Sequence, residues 1–222
     1  MARPRVFDVD NAISIAMDLF WQHGYDRTSL SDLTDAMGIT PPSFYHAFGS
    51  KEGLFEKVLE RYQSEHLGFA ANALAESTAR EVVERLLHGL ADAQSDPTHP
   101  PGCLSVNSVL PCADDADGVR RALLEVRCAK RARLRERFAR AKAEGDLPAD
   151  ADLEALVRYV QTIGTGMAVE AQTGATREEL HQIVDMALSA WPPRTAKRPG
   201  PSLPGRQKRK RNPSKKAATD AT

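Results

Sequence analysis

Apolar residues along the first sixty positions fall on helical faces and do not alternate. Val9, Ile13, Ala16, Met17 and Phe20 recur at intervals that place them on one side of a helix, which Gly24 ends. Leu30, Leu33, Met37 and Ile39 supply the apolar positions of a second element. Thr28 or Ser29 serves as its N-cap, acidic Asp32 sits in its first turn, and Gly38 stops it. Thr40-Pro41-Pro42 predicts a very short third helix, because proline at the first helical position gives up an N–H that has no partner there anyway. A fourth helix begins at Ser50-Lys51-Glu52, with Leu54, Phe55, Val58 and Leu59 facing inward and Tyr62 one turn further on.

Beyond Gln63 the predicted helices lengthen. Val82, Val83, Leu86, Leu87 and Leu90 mark one from Thr78 to Gln94, and the prolines at 97, 100 and 101 make a loop of residues 95–102. Cys103 to Leu110 has the β-branched content of a strand, but an isolated strand has no partner here, so a helix is expected. Val119, Leu123, Val126, Leu134, Phe138 and Ala141 mark a long helix ending near Gly145. Leu153 to Gln172 and Glu178 to Trp191 complete the series. Strands never alternate with helices and nothing repeats, so the predicted fold class is all-α. The expected division is a domain over 1–66, a second over 67–191 and a tail over 192–222.

Charge changes this picture in one respect. The chain has 222 residues and zero formal net charge, yet from Pro192 onward ten Lys/Arg face a single Asp220. With five prolines before Gln207 and almost no large apolar residue, that tail is expected to be disordered. The first 66 residues hold six basic and ten acidic side chains, which makes that domain net acidic. The long helix carries ten basic residues between Arg120 and Lys142. They read as a solvated face pairing with acids elsewhere in the body more readily than as a second nucleic-acid surface. No apolar run reaches the roughly 18 residues that span a bilayer, and the basic start is followed by Asp8 and Asp10, so no membrane or secretory segment is expected. Cys103, Cys112 and Cys128 lack CxxC spacing, which argues against a disulfide framework and a zinc site and for a reducing cytoplasm.

The informative stretch runs from Thr28 to Phe55: helix, glycine turn, short helix, then another helix. A helix-turn-helix uses this arrangement because the first helix braces the second, whose N-terminal residues enter the major groove. Phe44 and Phe48, four apart, point back to the core. Thr40, Ser43, Tyr45, His46 and Lys51 are the exposed candidates, with Arg27 near the proposed groove. Hydroxyls and Lys51 suit phosphate oxygens, whereas Ser43 and His46 have the reach and polarity for base edges. Arg3 and Arg5 are placed to reach the neighbouring minor groove. The tail either adds salt-sensitive affinity that the acidic head lacks or only keeps the chain soluble.

The pattern Ser29-Leu30, Ala36-Met37-Gly38-Ile39-Thr40, Ser43-Phe44-Tyr45-His46, Phe48, Ser50-Lys51-Glu52 and Leu54-Phe55 resembles the TetR/AcrR family of bacterial transcriptional regulators. The resemblance covers roughly Val9 to Tyr62. It implies a three-helix DNA-binding domain joined to an all-helical domain that dimerises through its last two helices and encloses a small-molecule pocket. By position it also implies DNA contacts from Thr28, Thr40, Ser43, Tyr45, His46 and Lys51, while Pro41 stands where many members carry a polar or basic side chain. Pro100-Pro101-Gly102-Cys103-Leu104 and Asn107 resemble an element of the effector domain in one subset of that family. Phe69, Cys103, Asn107 and Met167 are the pocket candidates, with core packing as the other reading. Leu156, Val160 and Gly164, with Val184 and Leu188, are candidates for a four-helix dimer interface, or else for the monomer's own core.

The expected function is a homodimeric repressor, with double-stranded palindromic operator DNA as its partner and release by a small-molecule effector. An alternative is a regulator that senses oxidants or electrophiles through Cys103. A Cys–His enzyme is the remote rival, since only His99 lies near a cysteine and no Walker loop, GxGxxG, HExxH or GxSxG occurs. No cofactor and no metal are expected.

Overall fold

The computed structural model describes residues 8–109 and 117–192. Arg3, Arg5, Cys112 and the basic segment from residue 193 lie outside the described residues. The chain runs through α1 (Val9–His23), α2 (Leu30–Met37), α3 (Pro41–Phe48), α4 (Lys51–Glu65) and α5 (Phe69–Leu74). It continues through α6 (Ala79–Gln94), α7 (Leu104–Val109), α8 (Asp117–Ala143), α9 (Leu153–Gln172) and α10 (Arg177–Ser189). No strand occurs among the described residues, and α7 falls within the stretch from Cys103 for which a helix is expected; Leu110 lies outside the described residues. The helix that the apolar pattern does not predict is α5. It has six residues, a Gly68 cap with no side chain and one buried position, Ala73, too little for a periodic signal.

Local chemistry sets the boundaries. Asp8 opens α1 by accepting from the Asp10 and Asn11 amides. Ser29 is the residue that caps α2, in a reciprocal box with Asp32. That hydrogen bonding holds the Asp32 carboxyl below its ordinary range. Gly38 ends α2 in the left-handed region at φ 66°, and no other atom would obstruct a Cβ there. Gly38→Ala is therefore a test of backbone strain alone. It is expected to cost about 1–2 kcal/mol in denaturant unfolding, the penalty of a Cβ in that conformation. Thr40 holds the N-cap position of α3 without capping; its hydroxyl lies 3.0 Å from that of Ser43.

Two apolar cores form. The first gathers Phe20, Trp21, Leu33, Phe44, Leu54, Phe55 and Val58 from α1–α4, and it also takes in Leu104, Val119 and Leu123 from α7 and α8. The N-terminal unit is thus welded to the body through shared packing. Asn107 adds a hydrogen bond of 2.7 Å to the Trp21 carbonyl, and within the unit Arg61 pairs with Asp10 at 2.6 Å to tie α4 to α1.

The second core joins α6, α8, α9 and α10, and it corrects the expected dimer face. Val160, Gly164, Val184 and Leu188 are buried inside the single chain, and Leu156 packs partly buried against the same core. The Gly164 carbonyl accepts from Gln94 at 3.0 Å, and a Cβ at Gly164 would stand 2.9 Å from Leu90. The small residue permits close approach of α6 and α9. Met167 belongs to this core as well. Half-buried Ile163 and Ile183, together with Met186, line an open groove between α9 and α10. Met186 is 73% exposed. On α8, Arg131 and Arg135 both pair with Glu154 at 2.6 Å, the solvated-face arrangement expected of that basic helix.

Candidate nucleic-acid interface

α2 and α3 meet across the Gly38 turn, and α3 is anchored by its two phenylalanines. Phe44 is fully buried and Phe48 nearly so, with their rings 5.3 Å apart. Helical geometry then forces the intervening residues outward. Thr40, Ser43, Tyr45 and His46 are all exposed, so one short helix presents two hydroxyls, a phenol and an imidazole to solvent. Arg27 is exposed too; its Nε donates to the His23 carbonyl at 2.8 Å and fixes the base of the side chain. Lys51, the first residue of α4, lays its ammonium 4.1 Å from the centre of the Tyr25 ring. Tyr25 in turn rests on Phe20 and Phe55 at 5.6 and 5.2 Å. A chain of packed rings therefore positions a cation beside the reading helix, a role for Tyr25 that its sequence position does not announce.

Thr28 does not belong to this surface. It is 1% exposed, and its hydroxyl donates to the Gly24 carbonyl at 2.8 Å. The side chain ties the end of α1 to the start of α2 and has no surface to offer a phosphate.

The pocket candidates separate in space. The Phe69 ring packs where a Cβ on Gly89 would be, at 2.4 Å, while Met167 lies in the second core. Cys103 and Asn107 sit at the junction of the two units. Cys103 is half-buried, and the Tyr62 hydroxyl donates to its Sγ at 3.3 Å. Burial first, then the nearby Cys103, pushes the Tyr62 phenol well above its ordinary range, so it stays a donor. The Asn107 carbonyl oxygen is buried without a protein partner among the described residues.

Trp21 stacks on His99 at 4.3 Å and meets His66 edge-on at 5.0 Å, so the same junction holds two imidazoles. Burial, and then the neighbouring His99, hold His66 below its ordinary range. The folded chain consequently binds the His66 proton less readily than the unfolded chain does. Stability is full above the unfolded value near 6.5 and declines as pH falls through it towards the lower folded value. His66→Gln is expected to flatten that decline in thermal melts taken from pH 7.5 to 5.

A two-helix reading unit with an outward polar face, fused through a common core to an all-helical body, defines a helix-turn-helix DNA-binding regulator. The chain belongs to the TetR family of bacterial regulatory proteins: residues 12–58 match the family's N-terminal model, and residues 69–187 match the tetracyclin repressor-like C-terminal domain. Among curated relatives, the HTH-type transcriptional repressor ComR of Escherichia coli (strain K12) is 34% identical over 195 residues, 86% of this chain and 91% of ComR. The repressor BdcR of the same organism is 43% identical over 101 residues, 46% of this chain and 50% of BdcR. Among solved structures, a cysteine mutant of the TetR family regulator CifR, complexed with 26-bp double-strand operator DNA, is 42% identical with a TM-score of 0.80. That match covers 86% of this chain and all of the other.

Proposed function

We propose that the protein is a homodimeric transcriptional repressor that binds palindromic operator DNA through α2 and α3 and is released by a small molecule held in its body. It acts in the cytoplasm as a regulator and not as an enzyme. The observation that carries this reading is the outward set Thr40, Ser43, Tyr45 and His46 on a helix whose phenylalanines are buried. The repressor names of the relatives and the operator complex of CifR support it. Two-fold symmetry would place the two reading helices in successive major grooves, about 34–36 Å apart.

The test is binding to the chain's own upstream DNA against a scrambled duplex, over a salt series, with the full chain and with a chain ending at Pro192. Sequence preference retained by the short chain supports the reading, and salt-labile binding without preference sinks it. A salt slope that is the same in both chains means that the basic tail adds no phosphate contacts.

Dimerisation is read to use the α9–α10 groove lined by Ile163, Ile183 and Met186. Met186→Asp is expected to yield folded monomers in light scattering, because the exposed methionine contributes nothing to the chain's own core but would bury a carboxylate between two subunits. Operator binding should fall with it.

A second reading is favoured by the hydrogen bond from Tyr62 to Cys103. Oxidation or alkylation of this half-buried sulfur, which packs against the shared core, would disturb the junction of the two units, as an oxidant- or electrophile-responsive regulator requires. Cys103→Ser that binds DNA yet no longer releases it on treatment with such reagents supports this; an intact response removes it.

A further inference from the structure

α6 and α10 are joined along one side by a line of five charged or titratable side chains, taken from the two helices in turn. Arg177 of α10 pairs with Asp92 of α6 at 2.6 Å, and the same carboxylate oxygen lies 2.8 Å from Nε2 of His181 on α10. Nδ1 of His181 faces Nδ1 of His88 on α6 at 2.6 Å, and Nε2 of His88 lies 3.7 Å from Asp185 of α10. The ring centres are 4.8 Å apart and the planes 25° from parallel. That separation is the distance between the nitrogens plus two ring radii, so the two Nδ1 atoms meet head-on and the imidazoles lie end to end. Lone pairs aimed at each other at 2.6 Å leave room for a proton. Two metal–nitrogen bonds along the same line would need about 4 Å.

The partners decide which nitrogen carries a hydrogen. A carboxylate only accepts, so Asp92 requires the hydrogen of His181 on Nε2, which leaves Nδ1 of that ring as an acceptor. His88 must then donate from Nδ1. A neutral His88 consequently turns the lone pair of Nε2 towards the Asp185 carboxylate, acceptor against acceptor, and a proton there converts the contact into an ion pair. With that one proton the line reads plus, minus, neutral, plus, minus, and every hydrogen in it has an acceptor. The site left for a second proton is Nδ1 of His181, the acceptor of the central bond. Filling it makes both facing nitrogens donors and sets two cations head to head. The groups bonded to the pair come from α6 and α10; among the described residues, α5, α8 and α9 contribute none. One turn away lie the exposed Glu84 on α6 and Glu178 on α10, while Arg85 is paired with Glu76.

We propose that this line is a proton-operated latch, which holds α10 on α6 while the two imidazoles share one extra proton or none and opens when both are protonated. Imidazole is the side chain whose charge changes between about pH 5 and 8, so the latch is closed near neutrality and opens in mild acid. Leu87 and Ala91 of α6, with Leu180 and Val184 of α10, pack in the second core beside the half-buried pair. Those contacts do not depend on charge, so an open latch loosens α10 without unfolding the chain. A different face of α10 carries Ile183 and Met186 into the groove against α9. Acid would therefore weaken dimerisation, and operator binding with it, through the same helix; this consequence rests on the reading that the groove is the dimer face.

The test follows α10 in the full chain carrying His66→Gln, which removes the pH effect expected of that residue. Protection of the α10 amides from hydrogen exchange, corrected for the intrinsic pH dependence of exchange and referred to α1, is measured from about pH 7.5 to 5. It is expected to fall by about 10- to 100-fold over that range, the scale of one charge-assisted hydrogen bond. His88→Phe keeps a ring at this half-buried position without either nitrogen, and its α10 should be poorly protected at both ends of the range. Nitrogen-15 spectra of the imidazoles should show hydrogen on Nε2 of His181 and on Nδ1 of His88, with the two rings taking up their protons in separate steps, His88 first. Constant protection of α10, the same fall in His88→Phe, or simultaneous protonation of the two rings overturns the proposal. A fall that vanishes with EDTA overturns it too, because a bound metal ion would then be the agent. Light scattering on the same samples reads the dimer separately. A pH-dependent α10 with an unchanged mass leaves the latch standing and removes the α9–α10 dimer reading instead.

Discussion

Tyr45→Ala is expected to weaken operator binding by about 10- to 100-fold while leaving the fold unchanged. The phenol is 52% exposed, on a helix held by Phe44 and Phe48, so its removal opens no cavity. What the variant loses is a hydroxyl and a ring in the groove, and a contact of that kind is worth about 1–3 kcal/mol. Gel shifts on the native operator and on a scrambled duplex separate the possible contacts. A phosphate contact lowers both affinities alike, whereas a base contact lowers only the first. Unchanged affinity for both duplexes, with an unchanged melting temperature, would place Tyr45 outside the interface.

Phe55→Ala should act through the fold. The side chain is completely buried, edge-on to Phe20 and Tyr25 at 5.2 Å each. Truncating a buried phenylalanine costs about 3–5 kcal/mol, a large share of the roughly 5–15 kcal/mol that holds a typical domain together. Calorimetry should show a melting temperature lower by about 6–20 °C, taking about 2–4 °C per kcal/mol for a chain of this size. Operator binding should fall as well. Tyr25 loses the ring behind it, and the platform under Lys51 is no longer held in place. Because Leu104, Val119 and Leu123 share this core, the loss should also reach the junction with the body, so hydrogen exchange of α7 should rise together with that of α4.

The two variants mark two kinds of legibility. The contrast between Tyr45 and Phe44 is present in the sequence, because a four-residue spacing of phenylalanines in a short helix leaves little choice of which side faces the core. Thr28 shows the limit. Position alone makes it equivalent to its polar neighbours, and only the close return of the chain after Gly24 buries it and occupies its hydroxyl. The last two helices show the same limit on a larger scale. Val160, Gly164, Val184 and Leu188 are right for an interface in residue type and spacing, but they pack with residues of α6 and α8 in the chain's own core, while Met186 is left in solvent beside the half-buried Ile163 and Ile183.

The amino-acid order by itself determined the all-helical class, the positions of nine of the ten helices described, the glycine turn and the outward residues of α3. These depend on backbone conformation and on periodicity within one element, which are local properties. Two features were decided by tertiary structure alone. They are the core shared by the reading unit and the body and the pairing of Tyr62 with a cysteine forty-one positions away. Each depends on which helix packs beside which. That choice is made by the burial of whole faces together, so no single segment carries its signal.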